Sequence, residues 1–161
     1  MLVLGVTADD KGAQLESLVK SVLSAQGHVR VRTNFVVAGG NELDIVAERE
    51  SELLTQTQVT PIVGEAKAYG SPLTMPKWHA LLGKLLIERA SRHTTVGVLI
   101  ALNGVNGHVA GSYAALKQHD AAVSIIDGGD LLMRAHASGE VADEDVARSA
   151  ITAQFHREVR G

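Results

Sequence analysis

The chain has no cysteine, so disulfide bonds and thiolate metal sites are both excluded. Aromatic residues make up only 3%, too few for a platform on which single-stranded bases stack. No apolar run approaches the roughly 20 residues that a membrane span requires. The opening MLVLGV is too short for a signal peptide and has no basic leader, so a soluble, cytoplasmic protein is expected. An overall positive charge is missing too. The net charge is −3, whereas a phosphate-binding protein normally leaves a basic footprint.

What is present is a chain of 161 residues, 45% hydrophobic, long enough for one domain with its own core. Its charge is unevenly placed. Residues 11–34 carry Lys11, Lys20, Arg30 and Arg32 against Glu16, and residues 67–93 carry Lys67, Lys77, Lys84, Arg89 and Arg92 against Glu88. The acids concentrate in 42–52 and 120–145. Such polarity permits local binding of a duplex despite the negative total.

Hydrophobic spacing orders the elements. Leu15, Leu18, Val19, Val22 and Leu23 follow a helical period, predicting a helix over about 11–26 that Gly27 ends. Val29, Val31, Thr33 and Phe35 alternate with Arg30, Arg32 and Asn34, as in a half-buried strand. After the turn Gly39-Gly40-Asn41, a second strand is expected over about Glu42–Glu48, and a third over Pro61–Lys67. The polar stretch between them, 49–60, reads as a loop or a hairpin excursion. Trp78, Leu81, Leu82, Leu85 and Leu86 mark a second helix, with Pro76 in its first turn. Thr95–Leu102 is a continuous apolar run suited to a buried strand. A helix over about 109–119, a strand over Ala122–Asp127 ending at Gly128-Gly129, and a last helix over about 143–159 complete the order. Alternating helices and strands with a buried parallel element imply an α/β sandwich in one domain spanning 1–161.

Chemistry concentrates on the second and third strands. Side chains two apart share a strand face, so Glu42, Asp44 and Val46 point one way, and Val63, Glu65 and Lys67 share a face of the next strand. Paired, these strands bring Asp44 beside Glu65 and Lys67. Two carboxylates and an ammonium on one concave face repel and lose solvent unless the site has a use. A hard divalent cation such as Mg²⁺ or Mn²⁺ resolves the conflict, because it takes one or two carboxylates and keeps positions for water and phosphate oxygens. It can polarise a phosphoryl oxygen and acidify water, while Lys67 orients the nucleophile or offsets charge on phosphorus. A lone Glu-x-Lys is common on solvated strands; the adjoining Asp44 strand is what makes this one informative.

Leu43-Asp44-Ile45-Val46-Ala47 followed by Gly64-Glu65-Ala66-Lys67 resembles the split signature of the PD-(D/E)XK nuclease superfamily. The leading helix with Gly12 and Glu16 resembles the opening of its Mrr-like restriction endonuclease domains and of the related Holliday-junction resolvases. The likeness covers about residues 11–135 and does not extend to the C-terminal helix. It implies a restriction-endonuclease-like αβββαβ core, a mixed sheet flanked by helices, acting as a Mg²⁺-dependent endonuclease on double-stranded DNA in restriction, defence or repair. Asp44, Glu65, the Ala66 carbonyl and Glu16 would form the metal shell, and Lys67 would be the base-like residue. Two features depart from the pattern: no proline precedes the acid of the second strand, and the helix after the motif offers Lys77 and Lys84 where many Mrr-like members carry a glutamine.

Several residues keep two interpretations. Glu16 lies roughly 90° from the centre of its helix's apolar stripe, able to lean over the sheet or to pair with Lys20. Glu42 suits a second ion or a turn. Lys77, Lys84, Arg30 and Arg32 suit phosphate-backbone contacts or ordinary solvated faces. His28, His79, His93, His108, His119, His136 and His156 include no i, i+3 or i, i+4 pair, so surface or capping roles are expected. Gly104-Val105-Asn106-Gly107 lacks the ending of a phosphate loop, and no nucleotide cofactor is expected. The main alternative is a module of the same fold that binds nucleic acid without cutting it; a small domain for a phosphorylated metabolite or a protein partner is a third. Cutting both strands of a duplex usually needs two sites, so a homodimer is expected with the first reading.

Overall fold

The computed structural model describes residues 7–36, 40, 42–53, 55–119 and 122–142. The expected helix over 143–159 lies outside them, as do Gly39 and Asn41 of the expected turn. Elements run α1 (Ala8–Ala25), β1 (Val29–Val36), β2 (Glu42–Leu53), β3 (Gln56–Lys67), α2 (Met75–Ser91), β4 (Val96–Ala101), α3 (Gly107–Lys117), β5 (Val123–Asp127) and α4 (Gly128–Ala137).

Helix α1 begins earlier than its apolar period suggests because Thr7 and Asp10 form a capping box. Asp10 N–H donates to Thr7 Oγ1 at 3.1 Å, and Thr7 N–H donates to Asp10 Oδ2 at 3.3 Å. The helix buries Leu15, Val19 and Val22, each worth about 1.5–3 kcal/mol when fully removed from water. It ends at Gly27, which takes φ +83°, a conformation few L side chains accept.

The five strands lie in chain order, with β1–β2–β3 antiparallel and β3–β4–β5 parallel. The sheet is therefore mixed and flanked by helices on both faces. In β4, Val98 and Ile100 join the layer under α1 and α4, with Leu15, Val19 and Leu131, while Leu99 and Ala101 join the layer under α2 and α3, with Trp78, Leu81, Leu85 and Val109. Trp78 is fully buried and ties α2 to α3. Its Nε1–H donates to Ser112 Oγ at 3.0 Å, and its ring meets Tyr113 edge-on at 6.2 Å.

The polar stretch 49–60 is a hairpin. Pairing of β2 with β3 continues from Ile45↔Gly64 out to Leu53↔Gln56. Pro61 is tolerated within β3 because β3–β4 pairing starts only at Ile62↔Val96, so its missing N–H breaks no bond on that side. One element goes beyond expectation. β5 ends before Gly128-Gly129 as expected, but the two glycines then open α4, a helix the hydrophobic spacing did not mark, capped by the Asp127 side chain, which accepts from Asp130 N–H at 2.9 Å. A Cβ at Gly128 would press on the Leu102 backbone, whose carbonyl accepts the Gly128 N–H at 3.2 Å, so close approach explains the glycine. Leu131, Leu132 and Ala135 then seal α4 against α1 and β5.

Candidate active site

The last β2–β3 pair is Ile45↔Gly64, and beyond it the two strands part. Asp44 and Glu65 stand one residue past that point, on either side of the gap. Leu102 N–H donates to the Lys67 carbonyl at 3.1 Å, so the Lys67 backbone faces β4. In a strand the backbone groups of the preceding residue face the other way, toward β2. There the Ala66 N–H finds a side chain in place of a strand partner and donates to Asp44 Oδ2 at 3.0 Å. The Ala66 carbonyl lies on that same side.

The structure brings Asp44, Glu65 and Lys67 together. Lys67 Nζ lies 2.6 Å from Asp44 Oδ2 and 2.7 Å from Glu65 Oε2, so one cation bridges both carboxylates. The Glu65 side chain is only 8% exposed, which makes its pairing obligatory. Its other oxygen, Oε1, is engaged by Lys84 of α2, whose ammonium also donates to the Glu42 carbonyl. Gly64 sets the approach of this segment to β4. A Cβ there would lie 2.6 Å from the Val98 carbonyl oxygen and against the Val98 side chain.

Glu16 reaches the site's edge from α1. Burial raises its pKa above the ordinary carboxylate value, and the negative charge of Asp44 raises it further, while the Asn34 hydrogen bond and Lys67 pull it down. Asn34 Nδ2 donates to Glu16 Oε2 at 2.7 Å from a left-handed backbone with φ +52°. Asparagine is among the few L residues that visit this conformation readily. Between the pairs Phe35↔Leu43 and Thr33↔Ile45, Asn34 stands opposite Asp44. Burial lowers the affinity of Lys67 for its proton, but hydrogen bonds and charge from Asp44 and Glu65 outweigh that and hold its pKa above the ordinary lysine range. At neutral pH Lys67 is an ammonium, a donor and counter-charge and not a proton acceptor.

The cations expected at a phosphate backbone divide. Lys84 is drawn into the carboxylates. Arg30 pairs with Glu48, Arg32 lies over the Phe35 ring at 5.4 Å from its centroid, and Lys77 is exposed in the first turn of α2. His79 is exposed on the same helix. Glu42 is exposed at the start of β2 and contributes its carbonyl to Lys84. Asn34 was not legible as a site residue, because its role depends on a turn of backbone that alternation does not reveal. The Lys84 contact with Glu65 was hidden as well, since period alone places Lys84 off the leucine stripe without saying what it faces.

Among the described residues no group of three or more His, Asp or Glu side chains converges closely enough to hold a metal ion. The donor set that does converge is two carboxylates already sharing one cation, with a backbone carbonyl directed to the same side. These are hard oxygen donors without sulfur or imidazole, which fits Mg²⁺ or Mn²⁺ completed by water and phosphate oxygens.

No protein-family model matches the sequence, and neither does any curated protein. Among solved structures, the chain is similar to the DNA modification-dependent restriction endonuclease AspBHI, with a TM-score of 0.56 and 13% identity, covering 94% of this chain and 44% of that one. It is also similar to the restriction endonuclease FokI, with a TM-score of 0.53 and 12% identity, covering 88% of this chain and 28% of that one. The chain thus spans less than half the length of either. At these identities the likeness is one of architecture: the chain has a restriction-endonuclease-like fold, a mixed five-stranded sheet between two layers of helices.

Proposed function

We propose that the chain is a divalent-metal-dependent DNA endonuclease of the PD-(D/E)XK superfamily, nearest in pattern to its Mrr-like restriction domains. The observation that carries this is the single ammonium of Lys67 bridging Asp44 and Glu65 where β2 and β3 part. Nothing in a five-stranded sandwich requires two carboxylates there, and replacing such a cluster by apolar residues is commonly neutral or stabilising. That favours a chemical use for the cluster.

Asp44 and Glu65 would hold Mg²⁺ or Mn²⁺, with the Ala66 carbonyl beside them and Glu16 at the edge of the shell. The ion would supply Lewis acidity toward a phosphoryl oxygen and lower the pKa of water. Lys67 Nζ, an ammonium held by two carboxylates, orients the attacking water or offsets the charge that develops on the phosphate oxygens. The Ala66 N–H fixes the Asp44 carboxylate in rotation. Glu16, its pKa raised by burial and by Asp44, is poised to gain from an added cation. The substrate is DNA, in duplex form, and the setting restriction or repair. Cutting both strands would draw on two copies of the chain.

The test is incubation of the protein with plasmid and linear duplex DNA, with and without Mg²⁺ or Mn²⁺. Cleavage is expected, stopped by EDTA and abolished in Asp44→Asn and Lys67→Met variants that keep their circular-dichroism spectra. DNA binding without cleavage by the wild type would instead favour a non-cutting module of the same fold. Cleavage that survives both substitutions would remove these residues from the reaction.

A further inference from the structure

Glu65 is held from two sides, by Lys67 at Oε2 and by Lys84 at Oε1. The two lysines differ in how firmly they are held. Lys67 lies on the same strand as Glu65 and touches both carboxylates. Lys84 projects from α2, takes Glu65 as its carboxylate partner, and among the described residues otherwise meets the backbone carbonyl of Glu42, an exposed residue that water can serve. Its side chain is 25% exposed, at the end of a flexible four-carbon stem.

Charge decides between them. Asp44, Glu65, Lys67 and Lys84 sum to zero, and Glu16 at the edge of the site adds one negative charge. A divalent cation shared by the carboxylates turns the site net positive in a partly buried place, where the ion repels both ammonium groups more strongly than in water. Lys84 has the least to lose by turning away. A phosphodiester anion arriving at the same carboxylates offers its ammonium a new charge-assisted partner. We propose that Lys84 is an exchangeable cation of this site, neutralising Glu65 when no divalent ion is bound and turning to a substrate phosphate when one is, an assignment that rests on the metal-dependent reading above. Lys84 thereby opposes metal binding in the absence of DNA and favours DNA binding once the metal is in place.

These opposite signs make the test. The full chain is titrated with Mn²⁺ without DNA, followed by electron paramagnetic resonance, and with a labelled duplex in Ca²⁺, followed by fluorescence anisotropy. Because it removes a cation that competes for Glu65 and repels the ion, Lys84→Met is expected to bind Mn²⁺ roughly tenfold more tightly and the duplex less tightly by a similar factor. Lys84→Arg restores both toward the wild type, and Lys77→Met, which removes a charge one heptad away, leaves Mn²⁺ affinity unchanged. A residue that merely props Glu65 in place would weaken both affinities on removal. Equal or weaker Mn²⁺ binding by Lys84→Met, or equal tightening by Lys77→Met, overturns the assignment. Loss of Mn²⁺ binding in Asp44→Asn without tightening in Lys84→Met overturns the Lys84 role alone. Absence of any Asp44-dependent Mn²⁺ binding overturns it together with the metal-dependent reading.

Discussion

Replacing Lys67 by methionine keeps the side chain's length and removes the cation that Asp44 and Glu65 share. Stranding a wholly buried charge costs about 3–5 kcal/mol. Here the loss is smaller, because Asp44 keeps the Ala66 N–H and Glu65 keeps Lys84. Two charge-assisted hydrogen bonds are lost and two carboxylates are left facing each other, while the desolvation of Lys67 is relieved. A destabilisation of about 2 kcal/mol is expected. For a chain of this size that lowers Tm by roughly 4–8 °C. The measurement is thermal unfolding by circular dichroism in EDTA and again with Mg²⁺ or Ca²⁺. A ligand at a hundred times its Kd adds about 2.7 kcal/mol to the folded state. In Lys67→Met the divalent ion also replaces the missing cation, so its Tm gain should exceed that of the wild type and close much of the gap. A variant that melts with the wild type in EDTA, or equal metal-induced gains in both proteins, would refute the idea that these carboxylates depend on a shared cation.

Other substitutions probe the surroundings. Asp44→Asn retains an oxygen for the Ala66 N–H, so cleavage should fall to background while Tm changes little. Gly64→Ala places a methyl against Val98 and should cost about 1–3 kcal/mol, read as a lowered denaturation midpoint. Because Gly64 precedes Glu65, Mn²⁺ affinity should fall with it. Glu16→Gln should stabilise the metal-free protein. The folded-state pKa of Glu16 is raised, so its charged form opposes folding above the ordinary carboxylate range and has no effect well below it. The Tm advantage of glutamine in EDTA should accordingly vanish in acid and appear toward neutral pH; a pH-independent difference would point to another cause.

The sequence by itself determined the order of elements from α1 to β5, because the helical spacing of α1 and α2, the alternation in β1 and the unbroken apolar run of β4 each mark a face that the core must absorb. It determined as well that Asp44, Glu65 and Lys67 stand on neighbouring strands with the parity to share a face. Helix α4 was not legible, since Gly128-Gly129 marked the end of β5 and a glycine chosen for close approach to Leu102 does not announce a helix start. Tertiary structure alone decided the rest. The point at which β2 and β3 part, one pair before Asp44, frees the Ala66 N–H to hold that carboxylate. The left-handed turn at Asn34 aims an amide at Glu16. The packing of α2 on the sheet carries Lys84 onto Glu65. Period and propensity are local properties of a chain; the spacing between charges from different elements is set by how those elements pack.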